Sequence, residues 1–551
     1  MTKGDILDLR IENMGSGGEG IAKIGGFPVF IKDSVPGDLC RVKIVKVKKN
    51  LAYGRMLEVL LPSKDRVSEK CPLAKRCGGC SMQAVSYERQ LKFKYERVCD
   101  CLKRIGGVPE EILDRAGEGT VGMEEPFRYR NKAQYPIGMD KDGNVVAGFY
   151  AARSHDIVPV SDCLLLPEQF GDILSGFLDF MRLNGVSAYD EASGKGLVRH
   201  LVIKKAFATG EILVVIVING DSLPHEDELI STMKAFEGVS SVVLNINKAK
   251  TNVIMGSSEK VIYGDGYITD ILCGLKYRIS PLSFYQVNPR IASGIYEAVL
   301  EFAGLTGNEE VWDICCGIGT ISLYLAKHAK RVLGIEIVPE AIKDAKRNAG
   351  LNGIENAEFI CGAAEDILYA FSEDKKAGDH TFPDVIVLDP PRSGMELKAI
   401  DAVLKMAPSK IVYVSCDPAT MSRDIKILTE ENYSLTRFRP YDQFCQSGHV
   451  ETVVSLSLKK DSPKIEISMK PGEDSLYEPQ DKGTYEKIKA YVLEKYGFKV
   501  SNLYIAQTKG KCGLDKRLNY NLSKKDDPHV PECPKEKEDA IMDAFRHFSI
   551  I

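Results

Sequence analysis

The first 60 residues alternate short apolar runs with glycine turns. Pro28–Ile31 and Leu39–Val47 read as strands, punctuated by glycines over 15–20, at 25–26 and at 37. A small OB-like β-barrel is expected over 1–60. Tyr87–Lys103 then reads as a positively charged helix. From about 120 to 280 the apolar runs are again of strand length: Tyr129–Gly138, Val145–Tyr150, His200–Lys204, Ile212–Ile218 and Val242–Ile246. They predict a central, β-rich antiparallel domain within 61–280. Beyond 281 strands alternate with amphipathic helices such as Pro339–Asn352, the pattern of a doubly wound parallel sheet. Its strands are Val311–Cys315, Arg331–Ile337, Ala357–Cys361, Asp384–Leu388 and Lys410–Ser415, with Val450–Leu458 as a closing antiparallel strand. The Lys-, Glu-, Pro- and Ser-rich stretch 459–483 reads as a linker. Residues 484–551 read as an α/β extension: a helix (Tyr485–Tyr496), a strand (Val500–Gln507) and a final helix (Pro534–Phe548).

Composition narrows the class. A chain of 551 residues with 44% apolar residues is long enough for three or four folded domains. No run approaches the roughly 18 apolar residues of a membrane span, and no apolar signal core follows the first charges. A soluble, cytoplasmic chain is expected. The net charge of −4 excludes an all-over basic coat but permits a local basic face. One candidate is the run Arg41, Lys43, Lys46, Lys48, Lys49 and Arg55, which reads either as a solvated strand face or as a phosphate-binding edge. Fifteen cysteines without a secretion signal point to reduced thiols.

The chemistry gathers at the strand ends of 281–458. Asp313-Ile-Cys-Cys-Gly-Ile-Gly-Thr320 lies where the first strand turns into a helix, and Glu336 ends the second strand, placed to accept two ribose hydroxyls. With neither a three-glycine phosphate cradle nor a Walker lysine, an adenosine ligand without pyrophosphate fits better, which means S-adenosylmethionine rather than NAD. Asp389-Pro-Pro-Arg392 follows the fourth strand; an arginine where amine methylases carry an aromatic speaks against amine methylation. Ser415-Cys416-Asp-Pro follows the fifth strand, and His449-Val-Glu451-Thr opens the last. A methyl donor, a thiol nucleophile and a carboxylate base suit carbon methylation of a pyrimidine. Thiolate addition at C6 makes C5 nucleophilic, and a base then removes the C5 proton. No residue that activates the thiol is evident; His449 is a candidate, and a structural histidine is an equal reading.

These motifs, with Ser283-Phe-Tyr-Gln286-Val-Asn, resemble the RNA uracil-5-methyltransferase family over roughly residues 1–458, most closely its iron–sulfur-containing 23S rRNA branch. The resemblance implies a Rossmann-like methyltransferase domain, an N-terminal TRAM domain and an S-adenosylmethionine site at Gln286, Asp313, Cys315, Gly317, Glu336 and Asp389. It implies Cys416 as nucleophile, Glu451 as base and Phe284 stacked on an extruded uridine. Cys315 departs from the aromatic usual in that loop, which puts a side-chain role there in doubt.

Cys71, Cys77 and Cys80 form a C-x5-C-x2-C run. Spacing alone leaves zinc and an iron–sulfur cluster near parity. The resemblance supplies Cys163 as the fourth ligand and implies a 4Fe-4S cluster. Arg128, Arg130 and Lys132 interleave with aromatics over 127–133, a surface suited to RNA or simply an exposed strand face. The expected partner is 23S rRNA, with no membrane and no DNA, and the protein is expected to be monomeric. The same chemistry on the tRNA T-loop, a non-catalytic RNA-binding assembly factor and DNA cytosine methylation are the alternatives. Cys512 and Cys533 lack neighbouring histidines and make a poor metal site.

Overall fold

Seven consecutive aliphatic residues, Ile212–Ile218, are all buried in the computed structural model, which places them in the interior of a sheet. The structure describes residues 1–152, 154–373, 382–459, 485–512 and 533–548. The chain divides into two units, Met1–Ser462 and Pro463–Ile551.

Three main sheets build the first unit. Six strands between Ile6 and Leu61 make the N-terminal barrel-like sheet, closed on a small core of Ile11, Val29, Ile31, Val42 and Ile44. Lys43, Lys46, Lys48, Lys49 and Arg55 are exposed on it. Arg41 differs, since it is paired with Asp8 at 2.9 Å and Glu58 at 3.5 Å. The central sheet has seven strands, with Ile212–Ile218 between Val198–Lys205 and Val239–Ile246. It is mixed rather than antiparallel: Ile212–Ile218 and Val239–Ile246 run parallel. Helix Glu226–Lys234 lies between them in sequence, and a parallel pair needs such a crossover.

The third sheet carries the strand-end motifs. Its order is Ala357–Cys361, Arg331–Glu336, Glu310–Ile314, Val385–Leu388, Lys410–Ser415, Glu451–Leu458 and Tyr433–Tyr441. The first five are parallel and the last two antiparallel to their neighbours. Glu451–Leu458 is therefore an inner strand, and Tyr433–Tyr441 takes the edge. The order reverses between Glu310–Ile314 and Val385–Leu388, the switch point at which such sheets open a ligand crevice.

Helix Tyr87–Arg104 packs onto this sheet although 205 residues separate it from Glu310, where the sheet's first strand begins. Its inward stripe is Gln90, Phe93, Lys94, Val98 and Leu102. Val98 and Leu102 share a core with Ile386, Tyr413 and Leu456, while Gln90 and Lys94 carry polar groups into the interior.

In the second unit the described residues form helices Tyr485–Tyr496, Asn502–Lys511 and Lys535–His547. The strand expected at Val500–Gln507 is a helix, so the extension is helical rather than α/β in its described part. Val500, Tyr504, Ile505 and Thr508 recur at helical spacing, Ile505 packs with Ile541 and Phe545, and the Ser501 hydroxyl accepts from Tyr504 N at the helix start. The linker expected at 459–483 lies, beyond Lys459, outside the described residues.

Candidate active site

The cofactor-loop residues meet where the first strand ends. Cys315 (φ 67°) and Gly317 (φ 56°) take left-handed backbone conformations, which turn the chain sharply out of the strand. The Cys315 and Cys316 amides donate to Ile335 O at 2.8 and 3.0 Å. A Cβ built on Gly317 meets nothing within 4 Å, so the turn borders open space. Glu336 accepts from Gly317 N at 3.1 Å and from Val338 N at 2.9 Å, fixing its carboxylate at the crevice mouth. Asp313 is fully buried; Ser322 Oγ donates to its Oδ2, and its Oδ1 has no partner among the described residues. Burial pushes Asp313 up to about 6, against the Ser322 hydrogen bond. Asp389, whose amide donates to Ile314 O at 3.1 Å, is pushed up to about 7 by burial and by the charges of Asp313 and Glu336.

The chemical half is continuous with it. Cys416 lies between strand Lys410–Ser415 and helix Pro418–Glu430, whose start is capped by Asp417 accepting from Ala419 N and Thr420 N. Burial, then the charges of Glu451 and Asp389, push the Cys416 thiol up to about 11, with Arg392 opposing them through its charge and a hydrogen bond. Glu451 is buried, and desolvation together with Asp389 holds its carboxyl well above the usual range, again opposed by Arg392. Cys416, Glu451, Asp389 and Arg392 thus form one electrostatic group. Arg392 is the cation beside the thiol that the sequence did not identify. Exposed His449 sits at the rim, edge-on to Phe444 with ring centroids 6.0 Å apart.

A loop over 442–450 joins the two antiparallel strands and delivers Glu451. Gln443 Nε2 donates to Gln286 Oε1 at 2.9 Å, while Asn131 Nδ2 donates to Gln286 O at 2.9 Å. Phe284, 66% exposed, shares a cavity of about 440 Å³ with Phe444, Arg130, Lys132 and all four predicted cysteine ligands, Cys71, Cys77, Cys80 and Cys163. The four cysteines are free thiols. Burial, and then the other thiols of the set, push Cys80 up to about 12. Among the described residues no three His, Cys, Asp or Glu side chains converge on a single metal-ion position. Arg128 is committed elsewhere, paired with Asp162 at 2.6 Å. Lys94 and Asp442, which the sequence reading missed, form a fully buried ion pair, with Tyr87 donating to Asp442 at 2.8 Å. The available signal was a lysine on the stripe that continues through Val98 and Leu102.

The sequence profile of the tRNA (Uracil-5-)-methyltransferase family matches residues 229–459, and that of the TRAM domain matches 1–57. An uncharacterized RNA methyltransferase of Halalkalibacterium halodurans is 43% identical over 83% of this chain and 98% of its own length. The chain belongs to the RNA uracil-5-methyltransferase family. A second such relative, an uncharacterized RNA methyltransferase of Clostridium acetobutylicum, is 44% identical over 82% of this chain and 97% of its own. Among solved structures, the Pyrococcus abyssi tRNA (uracil-54, C5)-methyltransferase in complex with S-adenosyl-L-homocysteine aligns with a TM-score of 0.64 and 25% identity. That alignment covers 82% of this chain and all of the archaeal one. The methyltransferase fold is therefore Rossmann-like, with an N-terminal TRAM domain. Among the described residues no helix is long and apolar enough to cross a membrane.

Proposed function

We propose that this methyltransferase converts a uridine of 23S rRNA to 5-methyluridine, with Cys416 as nucleophile and Glu451 as base. The observation that carries the reading is the grouping of Cys416, Glu451, Asp389 and Arg392 beside the glycine turn. Gln286, Asp313, Cys315, Gly317, Glu336 and Asp389 are the residues proposed to hold S-adenosylmethionine; the open space at Gly317 and the unpartnered Asp313 Oδ1 suit a ligand there. Bound in that crevice, the cofactor supplies an electrophilic methyl group.

Phe284 stacks on the extruded uracil, and Arg130 and Lys132 neutralise flanking phosphates. Arg392 stabilises the Cys416 thiolate, whose Sγ forms a bond to C6 and moves electron density onto C5. Once C5 carries the methyl group, Glu451 takes the C5 proton, the C5–C6 double bond re-forms and the Sγ–C6 bond breaks. A carboxyl lifted by burial is a strong base for that step.

Cys71, Cys77, Cys80 and Cys163 line one cavity, and the resemblance to the iron–sulfur branch favours a 4Fe-4S cluster over zinc as the group they would hold. Such a cluster would brace the RNA-facing loop. A 4Fe-4S cluster at these cysteines, as in the iron–sulfur 23S rRNA branch that the motifs resemble, would favour ribosomal RNA. A tRNA uridine is the second reading, favoured by the likeness to the archaeal tRNA enzyme over most of this chain. Tritium release from C5-labelled uracil decides between them. Release from 23S rRNA that disappears in Cys416→Ala supports the proposal; release from tRNA alone transfers the substrate. Silence on both RNAs, from protein that binds the cofactor, returns the non-catalytic assembly factor.

A further inference from the structure

The loop that delivers Glu451 is held from the cysteine site. The amides of Ser81 and Met82, directly after Cys80, both donate to Gln446 O, at 3.0 and 3.2 Å. Gln446 is buried and takes a left-handed backbone conformation, φ 65°, one that a non-glycine residue holds only when its surroundings impose it. Its side-chain Oε1 accepts from Gln90 Nε2 at 3.1 Å, and the same Gln90 amide reaches Met82 O and Val85 O at 3.0 and 2.9 Å. Gln90 therefore clips the segment after Cys80 to the catalytic loop. On either side of Gln446, Lys94 reaches Phe444 O at 3.2 Å and Arg97 donates to Gly448 O.

The geometry points to Gln446 as a positioning residue through which the four-cysteine site sets the placement of Glu451. The inference rests on the proposed catalytic roles of Cys416 and Glu451. If the cysteine segment moves, both Gln446 hydrogen bonds from Ser81 and Met82 move with it, and Glu451 lies five residues downstream, the first residue of the strand that this loop enters. Thiol addition does not involve that base; removal of the C5 proton does. A displaced Glu451 therefore has a specific signature. RNA becomes linked to Cys416, its uracil carries the new methyl group, and the adduct persists because the proton stays on C5.

The experiment uses the full chain with 23S rRNA and methyl-labelled cofactor, and reads denaturation-resistant, methyl-labelled RNA–protein adduct beside kcat, the KM for each substrate and cofactor affinity. Glu451→Gln sets the maximal adduct. Gln90→Leu, Gln446→Gly and Cys80→Ser are each expected to lower kcat about tenfold and to raise the adduct at least about fivefold, with cofactor affinity unchanged. Gln90→Leu combined with Cys80→Ser is expected to be no worse than the stronger single variant, since both cut one connection. A rise in RNA KM without adduct, or additive losses in the pair, overturns the inference. Gln90→Leu keeps every cysteine, so it tests the connection even if Cys80→Ser fails to fold. Wild-type protein that forms neither 5-methyluridine nor adduct fails the functional reading instead.

Discussion

Arg392 opposes two unfavourable protonation equilibria with one guanidinium. Burial and Glu451 lift the Cys416 thiol to about 11, and Arg392 is what holds it down. Its removal raises the thiol further, at about a tenfold loss of thiolate at neutral pH per unit. Arg392→Ala is accordingly expected to lower kcat/KM about ten- to a hundredfold at pH 7, with its alkaline limb displaced to higher pH than the wild type's, which climbs towards a thiol at about 11; a pH–rate profile checks it. Asp389 makes the opposite bargain with stability. Burial lifts it to about 7, so between about pH 4 and 7 the folded protein retains a proton that the unfolded chain releases, and stability falls as pH rises through that window. Asp389→Asn removes this loss. Its melting temperature without cofactor is expected to exceed wild type by about 2–4 °C at pH 8 and by less at pH 5, while methylation is lost. Thermal scans at the two pH values decide.

Elements explain what the sequence made legible. Strand-end motifs were readable because a parallel sheet sends every loop of one edge to the same crevice, so Asp313, Glu336, Asp389 and Cys416 could be grouped without coordinates. Residues whose role comes from a distant partner were not. Lys94 and Gln90 act on a loop some 350 residues away, and no local pattern marks such a meeting. Tyr433–Tyr441 was missed because Arg437 and Arg439 obscure its alternation; they are answered by Glu118 and Glu301 at the sheet edge. The helix at Asn502–Lys511 was misread because Val500, Tyr504 and Ile505 favour strands until a helical partner buries them. The 442–450 loop also meets the barrel. A Cβ on Gly448 would stand 2.5 Å from Ser16 O and 3.1 Å from Gly18 N, both backbone atoms. Gly448→Ala must therefore separate the barrel's glycine loop from the catalytic loop. It is expected to raise the KM for RNA about tenfold and leave cofactor affinity within about twofold, as steady-state kinetics and calorimetry would show.

The two units have separate cores, Met1–Ser462 around its sheets and the second unit around Ile488, Val492, Ile505 and Ile541. Relatives matched over 97–98% of their length account for 82–83% of this chain, close to the share taken by the first unit. A chain ending at Ser462 is therefore expected to fold with an unchanged melting temperature and to keep kcat within about twofold; more than a tenfold loss would give the second unit a part in the reaction. Within the first unit, the buried Lys94–Asp442 pair joins residues 348 positions apart. That separation has a consequence during synthesis. At about 5–20 residues per second, the helix bearing Val98 and Leu102 leaves the ribosome roughly 20–70 s before the strands that will cover it. For that interval Phe93 has its native partners Met14, Val35 and Met82, and Val98 and Leu102 have Val108 and Leu113, but the sheet side of the stripe is uncovered and its lysine has no counter-charge. The third sheet of a nascent chain can therefore close over that helix only when translation of its last two strands is complete.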